Sequence, residues 1–255
     1  AEINKNIMSH HSVIGDVKEV LKRLNSMLSR QDHKDWLAHI ADMKARYPLN
    51  YRKDILTGPY IIEKVYEITG GKAIISTEVG QHQMWTAQAY PFKKPRTLLT
   101  SGGLGTMGFG LPAAIGAAME NPDRQVICFS GDGSILMNIQ ELATLADLGL
   151  NVKVLIFNNG HLGLVRQQQE LFYNGHYMAS RFETRCDYTT ISSGFGIKSC
   201  NLGKEKDPLK ALKDILLSPE AYVVDIPIRE NENVLPMVPP GAGNTTMIGG
   251  AGYDK

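Results

Sequence analysis

Gly131-Asp132-Gly133 and Asn158-Asn159 hold the residue types that bind a magnesium diphosphate. Mg²⁺ takes an octahedron of oxygen ligands and is usually held by one or two protein groups together with substrate phosphates. Asp132 offers a carboxylate and Asn159 an amide oxygen. The glycines flanking Asp132 let backbone approach a diphosphate, and a helix starting just beyond Ser134 points free N–H groups at the anion. A lone GDG is weak, since chance places one in about one chain in twenty of this length, but a correctly spaced NN cuts that to about one in a thousand. The plain alternative is a pair of strand-end turns rich in Gly, Asp and Asn.

Such a site needs elements that carry both motifs to one place. The GDG triplet closes the apolar run 126–130 and the NN pair closes the run 152–157, and both runs read as buried strands. A helix from Asn138 to Leu148 lies between them, so a crossover connection makes the strands parallel neighbours. The motifs then meet at the carboxyl edge of one sheet, where open α/β folds bind ligands. The same alternation runs through the rest of the chain. A helix from Pro59, with Ile61, Ile62, Val65 and Ile68 on one face, stops at Gly70-Gly71, and a strand follows from Lys72 to Thr77. Then come helix Phe109 to Met119, strand Gln125 to Ser130, and, after the second motif, helix Pro208 to Leu217 and strand Tyr222 to Ile226. The expected fold class is α/β, a doubly wound parallel sheet with helices on both faces.

Three further features compete for chemistry. Gly103-Leu104-Gly105-Thr106-Met107-Gly108 matches the GxGxxG of dinucleotide sites and runs into a helix. Its context argues against NAD: Arg96 to Ser101 make a poor strand, and no acidic residue stands about twenty positions on at a strand end. Gln81 and His82 follow the strand end Glu78-Val79-Gly80, where a bare Gln-His pair reads as a solvated turn. The His161 imidazole is a poor partner for a hard cation. No Ser-His-Asp or Cys-His pattern supplies a nucleophile.

The blocks Glu78 to Trp85, Thr100 to Ala114, Gly131 to Ser134 with Asn138 to Thr144, Asn158 to Gly163, and Leu235 to Gly241 resemble the acetohydroxyacid synthase (acetolactate synthase) large subunit. They stand in that family's order from about residue 55 to the end. Gln167-Gln168-Gln169 after Val165-Arg166 are most similar to its bacterial isoenzyme I branch.

The resemblance implies a thiamine-diphosphate-binding fold with thiamine diphosphate and Mg²⁺ as cofactors. It places Gln81 and His82 on the cofactor's phosphates and Gly131, Asp132, Gly133, Ser134, Asn159, His161 and Leu162 around the same group. Gly105 and Met107 belong to the loop passing the cofactor's rings, with Met107 as the bulky residue propping the bent form, a positioning effect that can be worth several kcal/mol. Core filler is the plain alternative for Met107. The metal ligands are Asp132, Asn159 and His161 through its main-chain carbonyl, which leaves three octahedral places for two phosphate oxygens and a water. The implied activity decarboxylates pyruvate and joins the two-carbon unit to a second 2-keto acid, pyruvate or 2-ketobutyrate, in branched-chain amino-acid biosynthesis. No residue of this chain is expected to act as catalytic nucleophile or base. Gln168 stands where most members carry a tryptophan that favours 2-ketobutyrate, a discrimination worth about 1–3 kcal/mol at best, so that preference is placed in doubt. FAD is implied for the full-length enzyme, on its middle domain and not on this chain. A homodimer or higher oligomer is implied, and a small regulatory subunit is compatible. The alternatives are another thiamine-diphosphate decarboxylase or oxidase and a non-catalytic cofactor-binding module.

With 27 Lys and Arg against 26 Asp and Glu, the net charge of +1 leaves no electrostatic case for nucleic acid or a membrane surface. Cys128, Cys186 and Cys200 are odd in number and lack a CxxC, as reduced cysteines of a cytoplasmic protein would be. No signal peptide or apolar run of about 18 residues points to export or insertion. The expected domains are 1–50, the tail of a preceding middle domain plus linker; 51–235, the cofactor domain; and 236–255, a tail. In the first of these, an amphipathic helix runs from Gly15-Asp16 to about Ser29, and a connecting segment spans Trp36 to Tyr47. The stretch from Pro239, with five glycines, is expected to be loose unless it folds over the site. Ala1 is not an initiator methionine, and a C-terminal fragment is expected. It is expected to be inactive alone, because the resemblance places the cofactor-activating glutamate on an amino-terminal domain.

Overall fold

In the computed structural model, which describes residues 2–249, the chain divides between Pro48 and Leu49 into two units. The first holds α1 (Val17–Met27) and α2 (Lys34–Arg46). Asp16 starts α1 because its carboxylate accepts the otherwise free N–H groups of Lys18 (3.0 Å) and Glu19 (3.2 Å). The segment expected as a connection around Trp36 is helical over most of its length. Neither helix buries a residue: Leu21 and Leu24, on the expected apolar face, remain 51% and 44% exposed.

The second unit is an α/β layer structure. Its elements are α3 (Gly58–Thr69), β1 (Ile74–Thr77), α4 (Gln81–Ala89), β2 (Leu98–Thr100), α5 (Gly110–Glu120), β3 (Val126–Gly131), α6 (Asp132–Ile135) and α7 (Glu141–Asp147). They continue with β4 (Val152–Asn158), α8 (Gly163–Phe172), α9 (Tyr188–Gly194), β5 (Lys198–Asn201), α10 (Pro208–Leu217) and β6 (Tyr222–Pro227). All six strands are parallel, in the order β2-β1-β3-β4-β6-β5. The central strands are apolar on both sides because both sides are covered. Ile127 and Phe129 of β3 pack with α3, α4 and α10, while Val126 and Cys128 pack with α5, α7 and α9. The chain leaving β1 thus turns to one face through α4, and the chain leaving β3 reaches the other through α7. That divergence opens a crevice at the carboxyl edge between the two strands.

Several expectations need correction. Arg96 to Ser101 contain a strand, β2, which pairs with β1 through Leu98↔Ile75 and Thr100↔Thr77. Three residues on a half-exposed edge carry too little pattern to announce it. What separates the following GxGxxG from a dinucleotide fold is topology, since β1 lies between β2 and β3. Gln81 and His82 form the first turn of α4, not a solvated turn. The helix expected over Asn138 to Leu148 is shorter, α7 starting only at Glu141, and a separate single turn, α6, precedes it from Asp132. Asn138 sits between the two, where its side-chain amide donates to Gly108 O (2.7 Å). Near the tail, Met237 and Ile248 exchange N–H···O bonds of 3.1 and 2.9 Å, and residues 250–255 lie outside the described residues. Among the described residues no helix is long and apolar enough to cross a membrane.

Candidate functional site

The register pairs Gly131 with Phe157, so β3 and β4 deliver Asp132 and Asn159 to the same edge. Between them and the end of β1 lies a cavity of about 230 Å³. Its wall contains Gln81, His82, Gly105, Met107, Gly131, Asp132, Gly133, Ser134, Asn159, His161, Leu162 and Gln168, which are all the positions singled out in the sequence. Trp85, Phe157 and Ile228 complete an apolar side that sequence reasoning missed. Trp85 and Phe157 pack edge to face with ring centroids 6.2 Å apart.

Asp132 is 3% exposed, and burial pushes its carboxyl up to about 6 despite the N–H of Gly160 (2.7 Å) and of Gly133 (3.1 Å) pulling the other way. No Lys or Arg pairs with it among the described residues. A buried carboxylate in that condition is completed by a cation. Beside it, the Asn159 amide oxygen accepts His161 N–H (3.0 Å), and the His161 ring turns back to Asn159 O (3.0 Å) rather than outward as a ligand. The donor set is therefore one carboxylate, one amide oxygen and main chain, which suits a hard divalent ion. Among the described residues no cluster of three His, Cys, Asp or Glu offers a competing site.

The local sequence explains how these groups are held. Tyr188 OH donates to Asp132 O (2.8 Å), and Ser134 OH donates to Val79 O (2.7 Å), tying the end of β1 to α6. The two glycines of the GDG motif leave little room for a side chain. A Cβ on Gly131 would lie 3.1 Å from the His82 ring, and one on Gly133 2.7 Å from Leu162. Gly163 is tighter still, since a Cβ there would fall 2.1 Å from Gln81 Oε1 and 2.6 Å from Asn159 Nδ2.

His82 is 4% exposed, and burial drives its imidazole down to about 3, so it is neutral at physiological pH. Among the described residues its Nε2 has no partner although buried against the cavity, which suits it to a phosphate oxygen. Gln81 differs, because its amide is engaged with Gln167, Glu232 and Asn159. The loop bearing Gly105 and Met107 hangs from Glu78, whose fully buried carboxylate accepts Gly108 N–H (2.5 Å) and Leu111 N–H (3.1 Å). Burial raises the Glu78 pKa while the backbone N–H groups at the start of α5 oppose it. Glu78, Gln167, Tyr188 and Glu232 were not predicted as site residues, and no local signal marks the last three, since Gln167, Tyr188 and Glu232 stand among other polar residues.

Comparison with known proteins gives a consistent picture. Residues 78–226 match the family described as thiamine pyrophosphate enzyme, C-terminal TPP binding domain. The chain is 47% identical over 251 residues to the acetolactate synthase isozyme 1 large subunit of Escherichia coli (strain K12), covering 98% of this chain and 45% of that protein. It is 43% identical to the chloroplastic acetolactate synthase of Arabidopsis thaliana and 42% identical to chloroplastic acetolactate synthase 1 of Oryza sativa subsp. japonica, covering 97% of this chain in each case and 39% and 41% of those proteins. The chain thus spans less than half the length of these relatives.

Proposed function

Because the chain belongs to the thiamine pyrophosphate enzymes, through their C-terminal TPP-binding domain, we propose that it holds thiamine diphosphate with Mg²⁺ for acetolactate synthesis, the activity named in its relatives. The observation carrying this reading is that one cavity collects the strand-end motifs of β1, β3 and β4. When bound, the cofactor supplies a carbon nucleophile and an electron sink for loss of CO₂ from pyruvate. Asp132, the Asn159 amide oxygen and the His161 main-chain carbonyl hold the cation. His82, as a neutral N–H donor, and the backbone of Gly131, Gly133 and Ser134 receive the diphosphate. Met107 and Gly105 support the rings, Leu162 closes the wall, and the Trp85 side keeps water out. Gln168 lines the mouth where the acceptor, pyruvate or 2-ketobutyrate, would lie. An oligomer completes the site, residues 1–50 are the tail of a middle domain that carries FAD in the longer enzyme together with a linker, and the protein is cytoplasmic.

Calorimetry decides the core of this reading. Thiamine diphosphate should bind with Mg²⁺ present and lose its affinity in EDTA; metal-independent binding of equal strength overturns the assignment. The 255-residue chain by itself is expected to form no acetolactate from pyruvate, and turnover free of host enzyme would show that the catalytic machinery is misplaced.

A further inference from the structure

The buried amides of Gln167, Gln81 and Asn159 form a chain that runs from the segment after β6 to the cavity. Gln167, fully buried on α8, accepts Val234 N–H at Oε1 (2.7 Å) and donates Nε2 to Val234 O (3.1 Å). The same Oε1 accepts Gln81 Nε2 (2.9 Å), which also donates to Glu232 O (2.7 Å). Gln81 Oε1 in turn accepts Asn159 Nδ2 (3.2 Å), and Asn159 Oδ1 accepts His161 N–H (3.0 Å).

The polarity of this chain is not free. A side-chain amide can turn over and exchange its donor for its acceptor, but a backbone N–H or C=O cannot. Val234 presents both groups to Gln167, so the oxygen of Gln167 must face the N–H. That leaves Gln81 to approach with its nitrogen, which Glu232 O also demands. Gln81 must then offer oxygen to Asn159, and Asn159 must answer with nitrogen. His161 N–H anchors the far end with the same sense. Asn159 Oδ1 keeps a second lone pair, turned away from Gln81.

We infer that Gln167 is a positioning residue that sets the amide orientation of Asn159, so that an oxygen and not an N–H₂ group is offered to the cation, and that it couples this to docking of residues 232–234. The inference deepens the proposed function and rests on it. Gln167 touches neither metal nor cofactor; it acts through Gln81. Replacement by methionine keeps the bulk but removes the acceptor, which leaves Gln81 held by Glu232 O and Asn159 by His161 N–H, each with one fewer constraint on its orientation. A glutamate keeps an oxygen toward Gln81 and Val234 N–H.

The test is calorimetric binding of thiamine diphosphate at stepped Mg²⁺ concentrations, with the apo-protein Tm measured for each variant. Gln167→Met should raise the Mg²⁺ needed for half-saturation about tenfold, the effect of one buried hydrogen bond. Gln167→Glu should stay within about twofold of wild type at whatever Tm it shows. A purely structural role predicts instead that both variants weaken in step with their loss of Tm, and that result overturns the inference. So does a wild-type Mg²⁺ requirement in Gln167→Met. If Gln167→Met fails to fold, Gln167→Glu decides alone: an unchanged requirement supports the chain of amides and a tenfold rise refutes it. A wild type that binds thiamine diphosphate without Mg²⁺, or not at all, overturns the proposed function itself and the inference with it.

Discussion

At the amino edge of the sheet, Lys153 of β4 is 0% exposed and its ammonium donates to Asn151 Oδ1 (2.5 Å), Ser218 O (2.9 Å) and Glu220 O, so three donors meet three acceptors. At the carboxyl edge, Asp132 is also deeply placed, and among the described residues it has no ion partner and His82 Nε2 has no hydrogen-bond partner. Both edges bury polar groups, yet one set is closed within the chain and the other stays open toward a cavity. A closed set stabilises the fold, whereas an open set is tolerated only where something else completes it. The difference separates structural polarity from functional polarity without reference to any relative.

The comparison breaks most sharply at Asp132. Asp132→Ala should abolish Mg²⁺-dependent binding of thiamine diphosphate, by more than a hundredfold in calorimetry, while the apo protein's Tm changes little, because relief of a desolvated carboxylate offsets the Gly160 and Gly133 N–H groups left without their acceptor. A variant that still binds within tenfold would dissolve the distinction between the edges. Lys153→Met should do the reverse. It strands the Ser218 and Glu220 carbonyls, costs about 2–4 kcal/mol and lowers Tm by roughly 5–10 °C, with cofactor affinity unchanged once folded.

A smaller effect sharpens the contrast through pH. Burial pushes Glu232 up to about 7, against the pull of Gly58 N–H and the Arg229 charge. Its folded pKa lies above the ordinary carboxyl value of 4.5, so between about pH 4.5 and 7 the native state holds a proton that the unfolded chain has lost. Stability therefore falls as pH rises through that window. Glu232→Gln should flatten this slope in denaturant melts at pH 5, 6 and 7, and an unaltered slope would place the titration elsewhere. The smallest effect concerns the cavity mouth. Gln168 offers little apolar surface, and a methylene is worth about 0.8 kcal/mol when buried, or about fourfold in a rate ratio. Gln168→Trp should tilt the products of a full-length enzyme toward acetohydroxybutyrate by about that factor when both keto acids compete at equal concentration. A wild type already favouring 2-ketobutyrate tenfold would exclude Gln168 as the selector.

How much was legible follows from how local each feature is. An apolar run ending in GDG or NN announces both a strand and what stands at its end, and α10 and β6 declare themselves by the same local signals at Pro208 and Tyr222. In α4 the signal is scrambled, because the buried residues include Gln81, His82 and Thr86 beside Trp85. β5 lies on the half-exposed outer edge and pairs with β6, the strand after it, which no run of its own residues reveals.

The sequence by itself determined the strands of the central sheet and the edge at which Asp132 and Asn159 meet, since each rests on neighbours within a few positions, and the family resemblance supplied most of the remaining polar positions around the cavity. Only the tertiary structure decided the strand order beyond β4, the suspension of the Met107 loop from Glu78, and the amide chain from Val234 to Asn159. The last joins residues 67, 86 and 78 positions apart. Hydrogen bonds between distant side chains are directional and depend on where whole elements come to rest, so no local pattern of polar and apolar residues can announce them.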